Sequence, residues 1–153
     1  MHQQRGFTLI ELVVVIVILG LLAATALPKF IDVTTDAREA SVKGVAGGLR
    51  AAASLGQAQY VVNGDNGASN VSMGGTNVTV LQESTNAGRG GRPTADAAGI
   101  GTAMPDPDGF AATTSGTTRV YYPDTFTTGK SDCTAIYDPE STDDPVSVDV
   151  SDC

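Results

Sequence analysis

The sequence predicts an α+β protein, in which a long N-terminal α-helix carries an antiparallel β-sheet packed on its second half. Three observations support this class. No charged residue occurs from Leu12 to Leu27. Apolar residues then continue at roughly helical spacing as far as Asn63-Gly64, a pair typical of helix ends. Beyond Gly64 the chain is rich in glycine, threonine and serine and contains short runs of β-forming residues.

The first element is the apolar run from Phe7 to Leu27. As a helix it would be roughly 30 Å long, the thickness of the hydrocarbon core of a bilayer. Its β-branched residues 13–18 would also suit a buried strand, but strands rarely exceed about ten residues. Glu11 is the exception in this run. A carboxylate in an apolar helix is costly in lipid and is therefore a functional candidate, unless it stays hydrated at the membrane interface.

The second half of the predicted helix, residues 29–62, is amphipathic. Asn63-Gly64 ends it. Pro28 removes one backbone hydrogen bond and clashes with the carbonyl of Ala24, so the weak stretch is Gly20 to Pro28 and a kink is expected there. The predicted apolar face comprises Phe30, Val33, Ala37, Ala40, Val45, Leu49, Ala52, Gly56 and Tyr60. Small residues on this half would let a sheet approach closely.

The remaining residues predict a loop-rich head. Residues 64–92 are polar and glycine-rich, with a short strand or helical turn at 77–81. Residues 93–104 predict a short helix. The acids of Pro105–Gly109 could bind calcium, although a solvated turn is the simpler interpretation. Three runs predict antiparallel strands: Arg119–Tyr122, Thr134–Tyr137 and Val146–Val150.

The segment Arg5-Gly6-Phe7-Thr8-Leu9-Ile10-Glu11-Leu12 resembles the class III signal of type IV pilins and their pseudopilin relatives, and Pro28 closes the apolar run as it does in that family. The resemblance implies the pilin fold. It also implies that a prepilin peptidase cleaves between Gly6 and Phe7, that Phe7 is N-methylated, and that residues 1–6 are a leader that is removed. Glu11 would pair with the Phe7 amine of a neighbouring subunit or of its own chain. The stretch from Gly20 to Pro28 would unwind in a filament.

The resemblance also implies a division of the chain. Residues 7–28 would first anchor the protein in the inner membrane by a single pass and later form the filament core. Residues 29–62 would pack on the head, residues 63–153. Two segments, Leu22–Phe30 and Pro93–Met104, are similar to pilins of the mannose-sensitive haemagglutinin (MSHA) type. The implied function is a structural subunit, the major one, of an extracellular type IV pilus for adhesion, aggregation or motility. Its implied partners are further copies, the peptidase and the inner-membrane assembly machinery.

Two alternatives stay open at this point. One is the major pseudopilin of a type II secretion system. The other is a secreted binding protein or enzyme with an ordinary signal peptide, since Ala24-Thr25-Ala26 matches a small-x-small cleavage site. Two features argue against the second alternative. Glu11 lies within the apolar run, and the leader has only one basic residue, Arg5, besides His2.

Composition argues against several other functions. The formal net charge is -8, concentrated in the head, so no nucleic-acid partner is expected. The only histidine is His2, in the predicted leader. A mature chain without histidine excludes histidine triads and histidine metal sites. There is no GxxxxGK phosphate loop. We therefore expect no enzymatic activity, metal or cofactor.

Cys133 and Cys153 are the only cysteines. An even pair in an exported chain suggests a disulfide, the alternative being two free thiols. The bond would close the loop 133–153, and pilins that resemble this chain carry such a C-terminal loop. Seven acids and no base follow Lys130, so we expect this loop to be strongly negative.

Overall fold

A computed structural model describes residues 6–126 and 132–153, with the backbone alone for residues 27–32. The predicted leader therefore lies almost wholly outside the described residues, as do the side chains of Pro28 and of Phe30, the first residue of the predicted apolar face. The elements are α1 (Leu9–Asn63), β1 (Asn70–Met73), β2 (Thr76–Thr79), α2 (Ile100–Ala103), β3 (Phe110–Ser115), β4 (Thr118–Pro123), β5 (Thr134–Tyr137) and β6 (Val146–Asp149). The predicted α+β class is confirmed. The chain divides into two compact units, Met1–Ala37 and Arg38–Cys153.

The first unit contains the apolar part of α1. Its window Leu9–Ala26 has a mean hydropathy of 2.8 and none of it is buried. Among the described residues, one helix is long enough and apolar enough to cross a membrane, and this window is part of it. The backbone of α1 continues through Pro28 as helix. The predicted unwinding concerns an assembled filament and stays a prediction.

The second unit contains the buried face of α1. Buried residues recur at helical spacing: Val42, Val45, Ala46, Leu49, Ala52, Ala53, Gly56 and Tyr60. The prediction of this face is correct from Val45 onward. It is wrong for Val33, Ala37 and Ala40, which are exposed. Ala40 precedes the buried Leu49 by nine positions, which is two and a half helical turns, and so points to the opposite side.

The main sheet has the order β3-β4-β5-β6 and is antiparallel throughout. Tyr121 of β4 pairs with Ala135 of β5, and Ala135 pairs with Val148 of β6. One core cluster joins this sheet to α1, which confirms the predicted packing. Strands β4, β5 and β6 agree with the predicted runs to within two residues. Strand β3 was not predicted, because its two alanines interrupt a run in which Phe110 and two threonines favour a strand.

Strands β1 and β2 form a separate hairpin whose register pairs Val71 with Val78. Two glycines connect them, Gly74 at φ 59° and Gly75 at φ 85°. A two-residue hairpin turn whose twist matches that of the flanking strands requires positive φ at both central residues. The inward side chains of the hairpin pack with Tyr60 in a second core cluster. Strand β2 agrees with the predicted short strand, while β1 was wrongly assigned to a loop.

The predicted helix over residues 93–104 is mostly absent, and only Ile100–Ala103 is helical. The cause is a competing set of hydrogen bonds. Thr94 N donates to Thr79 O at 3.0 Å, which fixes the start of the segment beside β2. The Asp96 carboxylate then accepts from the Thr94 hydroxyl at 2.9 Å and from Gly99 N at 2.7 Å. These bonds close a turn where a helix was expected.

Gly56 lets the loop before Pro93 lie directly on α1. A Cβ atom at this position would be 2.7 Å from Gly91 O and 3.0 Å from Pro93 Cδ. The sequence predicted close approach of a sheet or a neighbouring helix to the small residues of α1, whereas the element that lies against Gly56 is a loop. The loop is organised by Glu83, whose carboxylate accepts from Gly88 N at 2.6 Å and Gly90 N at 2.9 Å. These bonds hold the pKa of Glu83 below its usual value.

Candidate functional site

The N-terminal site begins with two exposed residues ahead of α1. Phe7 is 90% exposed. Gly6 lies in irregular backbone, and a Cβ atom built there would meet nothing within 4 Å. Among the residues that the structure describes, none would crowd a side chain at position 6.

Thr8 and Glu11 form a reciprocal cap at the start of α1. Glu11 Oε2 accepts from Thr8 N at 2.8 Å and from Thr8 Oγ1 at 2.8 Å. Glu11 N in turn donates to Thr8 Oγ1 at 3.3 Å. This is a capping box, which satisfies backbone N–H groups that the helix leaves without partners. Our sequence interpretation missed it, although the spacing Thr-x-x-Glu before an apolar run is its signal.

The Glu11 carboxylate lies on a surface that is otherwise apolar. The side chains beside it are Phe7, Ile10, Leu12, Val14, Val15 and Ile16. Residues 12–18 are between 40% and 60% exposed, so a contiguous hydrophobic surface surrounds one acidic group. Such a surface marks contact with a membrane or with other protein. Of the other predicted residues, Gly20 lies on the exposed helix with open space around it.

Cys133 and Cys153 form a disulfide with a Cα–Cα distance of 4.8 Å. The closed loop contains β5 and β6. Cys133 is fully buried in the main core. The bond therefore joins the C-terminus to the core of the second unit.

Two arginines of α1 contact the acidic C-terminal segment, residues 138–153. Arg50 donates to Asp144 Oδ2 at 2.8 Å and to Val146 O at 2.8 Å. Arg38 donates to Cys153 O at 3.1 Å. The hydrogen bond from Arg50 holds the pKa of Asp144 below its usual value. Arg50 therefore fastens the start of β6 to the helix, and Arg38 fastens the C-terminal residue that follows β6.

Arg92 holds the same segment from the other side and is 8% exposed. It donates to Ser141 O at 2.6 Å, and to Pro139 O and Asp143 O at 3.3 Å each. Its neighbour Arg89 donates to Glu140 O. The sequence predicted a strongly negative loop but not these cations, because each arginine is at least 47 residues away in the chain.

The turn at residues 105–109 does not collect ligands for a cation. Asp106 Oδ1 accepts instead from Arg119 at 3.0 Å. In the part of the chain that the structure describes, no group of three His, Cys, Asp or Glu side chains is arranged to hold a metal ion.

Comparison with known proteins relates the N-terminal segment to a defined motif. Residues 1–27 match the prokaryotic N-terminal methylation motif. This match includes Gly6, Phe7, Thr8 and Glu11 within one segment. The motif and the relatives described next support a type IV pilin.

Three relatives illustrate the similarity. The major component of a type IV narrow pilus of Thermus thermophilus is 46% identical over 57 residues, covering 37% of this chain and 49% of the relative. The type IV major alpha-pilin of Moraxella bovis is 50% identical over 44 residues, 29% of this chain and 28% of the relative. A fimbrial protein of Neisseria meningitidis is 41% identical over 71 residues, 46% of this chain and 40% of the relative. The chain thus matches about half or less of these relatives' length. No solved structure matches it.

Proposed function

We propose that this chain is a structural subunit, the major one, of a type IV pilus. The observation that carries the proposal is the combination, at one helix end, of the methylation motif with a wholly exposed apolar helix. Such a helix needs lipid or other helices around it. The role is structural rather than enzymatic, and the partners are further copies of the chain arranged in a helical filament. The relative from Thermus, itself named as a major pilus component, supports the assignment to a major subunit.

Processing would come first. A prepilin peptidase on the cytoplasmic side hydrolyses the peptide bond between Gly6 and Phe7, and the new amine of Phe7 is then methylated. The open space around Gly6 supports this step. Because the chain's own fold tolerates a side chain there, a glycine requirement is best explained by the narrow site of a peptidase.

Assembly would follow in the inner membrane, with the assembly machinery of the pilus as partner. The apolar surface of residues 7–28 leaves lipid and packs against the same surface of other copies, as the filament core. Glu11 is the one carboxylate in this surface and would be costly without a partner. The Phe7 amine of a neighbouring copy supplies one and sets the axial register. The segment from Gly20 to Pro28 then unwinds to fit the filament.

The head, residues 63–153, would face outward together with its C-terminal loop 133–153, which the disulfide and the arginines hold. Residues 29–62 connect it to the filament core. The filament would serve adhesion, aggregation or motility outside the cell. The segments Leu22–Phe30 and Pro93–Met104, with their similarity to MSHA-type pilins, support that subgroup.

Deletion of the gene tests this function against its main alternative. We expect the deletion to remove surface filaments, and the complementing chain to be the most abundant protein in filaments sheared from cells. A type II pseudopilin would instead leave filaments in place and abolish secretion of folded proteins into the medium. Retained filaments with lost secretion would contradict the proposal.

A further inference from the structure

We propose that Thr8 is a positioning residue for Glu11, holding one carboxylate oxygen so that the other is free to accept the amine of a second copy of this chain. The inference rests on the proposed function and concerns how the same site recognises its partner. It adds to the site a residue that the sequence interpretation had assigned no role.

The geometry divides the two carboxylate oxygens between two tasks. Both donors of Thr8, its N–H and its hydroxyl, are 2.8 Å from Oε2. Among the residues that the structure describes, Oε1 accepts no hydrogen bond. A carboxylate oxygen has two acceptor positions, so Oε2 is fully used by Thr8. The remaining acceptor capacity of Glu11 is concentrated on Oε1.

The hydroxyl of Thr8 has to donate and accept at once. It donates to Oε2 at 2.8 Å and accepts from Glu11 N at 3.3 Å. Serine can do both, whereas valine, with the same shape as threonine, can do neither. A substitution series at this one position therefore separates hydrogen bonding from side-chain volume.

Positioning matters here because the surroundings of Glu11 are apolar. A glutamate side chain has three rotatable bonds, and ordering it for a contact costs free energy. The cap makes that ordering part of helix formation, before a partner arrives. The first turn of the helix then presents a fixed acceptor on a hydrophobic surface, which favours a charge-assisted bond with an incoming amine.

Thr25 provides a matched control within the same helix. Its hydroxyl donates to Leu22 O at 2.9 Å, so it also makes one local hydrogen bond on an exposed apolar surface. Thr25→Val removes the same atoms as Thr8→Val and makes the same change in hydrophobicity, but has no connection to Glu11.

The test is incorporation of an epitope-tagged full-length chain into filaments that an untagged wild-type copy assembles in the same cell. The measured quantity is the tagged-to-untagged ratio in sheared filaments, divided by that ratio for the processed chains in the membrane. We expect Thr8→Val to lower this value about fivefold, the factor for loss of a typical N-cap bond. We expect Thr8→Ser and Thr25→Val to stay near the wild-type value. In the Glu11→Gln background, Thr8→Val should cause no further fall.

Three outcomes would overturn the inference: wild-type incorporation of Thr8→Val, a fall for Thr8→Ser as large as that for Thr8→Val, or an equal further fall in the Glu11→Gln background. If these occur while the tagged wild-type chain enters filaments, the proposed function stands and only the role of Thr8 is wrong. Absence of the tagged wild-type chain from filaments would refute the proposed function, and this inference with it.

Discussion

Arg50 and Asp144, 94 residues apart in the chain, form a 2.8 Å ion pair that fastens α1 to the loop ahead of β6. The same guanidinium reaches the carbonyl oxygen of Val146. The acidic C-terminal segment is therefore attached to the helix by a charge that the segment itself lacks. This attachment should contribute to the loss of stability of the head in acid.

We predict that Asp144→Asn lowers the free energy of unfolding of a chain comprising residues 29–153 by at most about 1 kcal/mol at pH 7, since both partners are half exposed. The folded pKa of Asp144 is lowered from 3.8. Its contribution is therefore present above about pH 3.8 and is lost as pH falls through the folded pKa. Urea unfolding of both chains from pH 7 to pH 2 should show their difference shrinking on the acid side.

Asp143→Asn is the matched control for that prediction. Asp143 contributes its backbone carbonyl to Arg92, and this carbonyl survives the substitution. A loss for Asp143→Asn as large as that for Asp144→Asn, with the same pH dependence, would show that general acidity rather than the pair with Arg50 is responsible.

Arg92→Met should destabilise the head more than any exposed arginine substitution. It leaves the carbonyls of Pro139, Ser141 and Asp143 without their shared donor. The loss is largest at Pro139, whose residue is buried, because an unpaired buried carbonyl is costly. We expect a loss of about 3 kcal/mol in urea unfolding. Arg92→Lys should recover only part of it, because one ammonium cannot replace the planar fork of donors.

Arg89→Met serves as the comparison for Arg92, since Arg89 is less buried and contacts the same segment through Glu140 alone. We expect its loss to stay below about 1 kcal/mol. Similar losses in the free energy of unfolding for the two variants would mean that burial does not explain the contribution of Arg92 to stability.

Reduction of the disulfide should lower the melting temperature of the same 29–153 chain, by an amount corresponding to about 3 kcal/mol. Because Arg38, Arg50 and Arg92 also hold the loop, we expect the reduced head to stay folded at 25 °C. Thermal scans with and without reductant, and of a Cys133→Ser, Cys153→Ser chain, measure this. Melting that is indifferent to reductant would contradict the structural role of the bond.

Local patterns predicted much of this fold. The long uncharged run, the Asn63-Gly64 stop and the runs of β-forming residues in β4 and β5 each specify an element from adjacent residues, and the structure has all of them. The segment at residues 93–104 was predicted incorrectly because its backbone bonds go to Thr79 and to the Asp96 side chain. The bonds to Asp96 are local, but the pairing with Thr79 depends on a residue outside the segment.

The candidate sites also differ in whether they could be predicted from local sequence. The cap between Thr8 and Glu11 is local, and its spacing could have been recognised from the sequence. The arginines that hold residues 138–153 could not, because the contacts depend on tertiary structure. Composition suggested an isolated negative loop, whereas folding brings cations from α1 and from the loop before Pro93 to its carbonyls.

Gly6→Val should block processing and leave an uncleaved, membrane-bound chain without filaments. Since the position is open in the chain's own structure, the substitution should not disturb the fold. Gly20→Ala, also in open space, is the control and should be cleaved normally. Immunoblots of membranes and sheared filaments give the result. Wild-type amounts of filament from Gly6→Val would refute the cleavage site.

The intact mass of the chain, purified from the cell surface, tests the central claim most directly. We predict a chain that begins at Phe7, carries one methyl group and contains the Cys133–Cys153 disulfide. A chain beginning at Leu27 would instead indicate an ordinary signal peptide cleaved after Ala26. That mass would contradict the account, because a subunit without residues 7–26 has neither the apolar helix nor Glu11 with which to assemble.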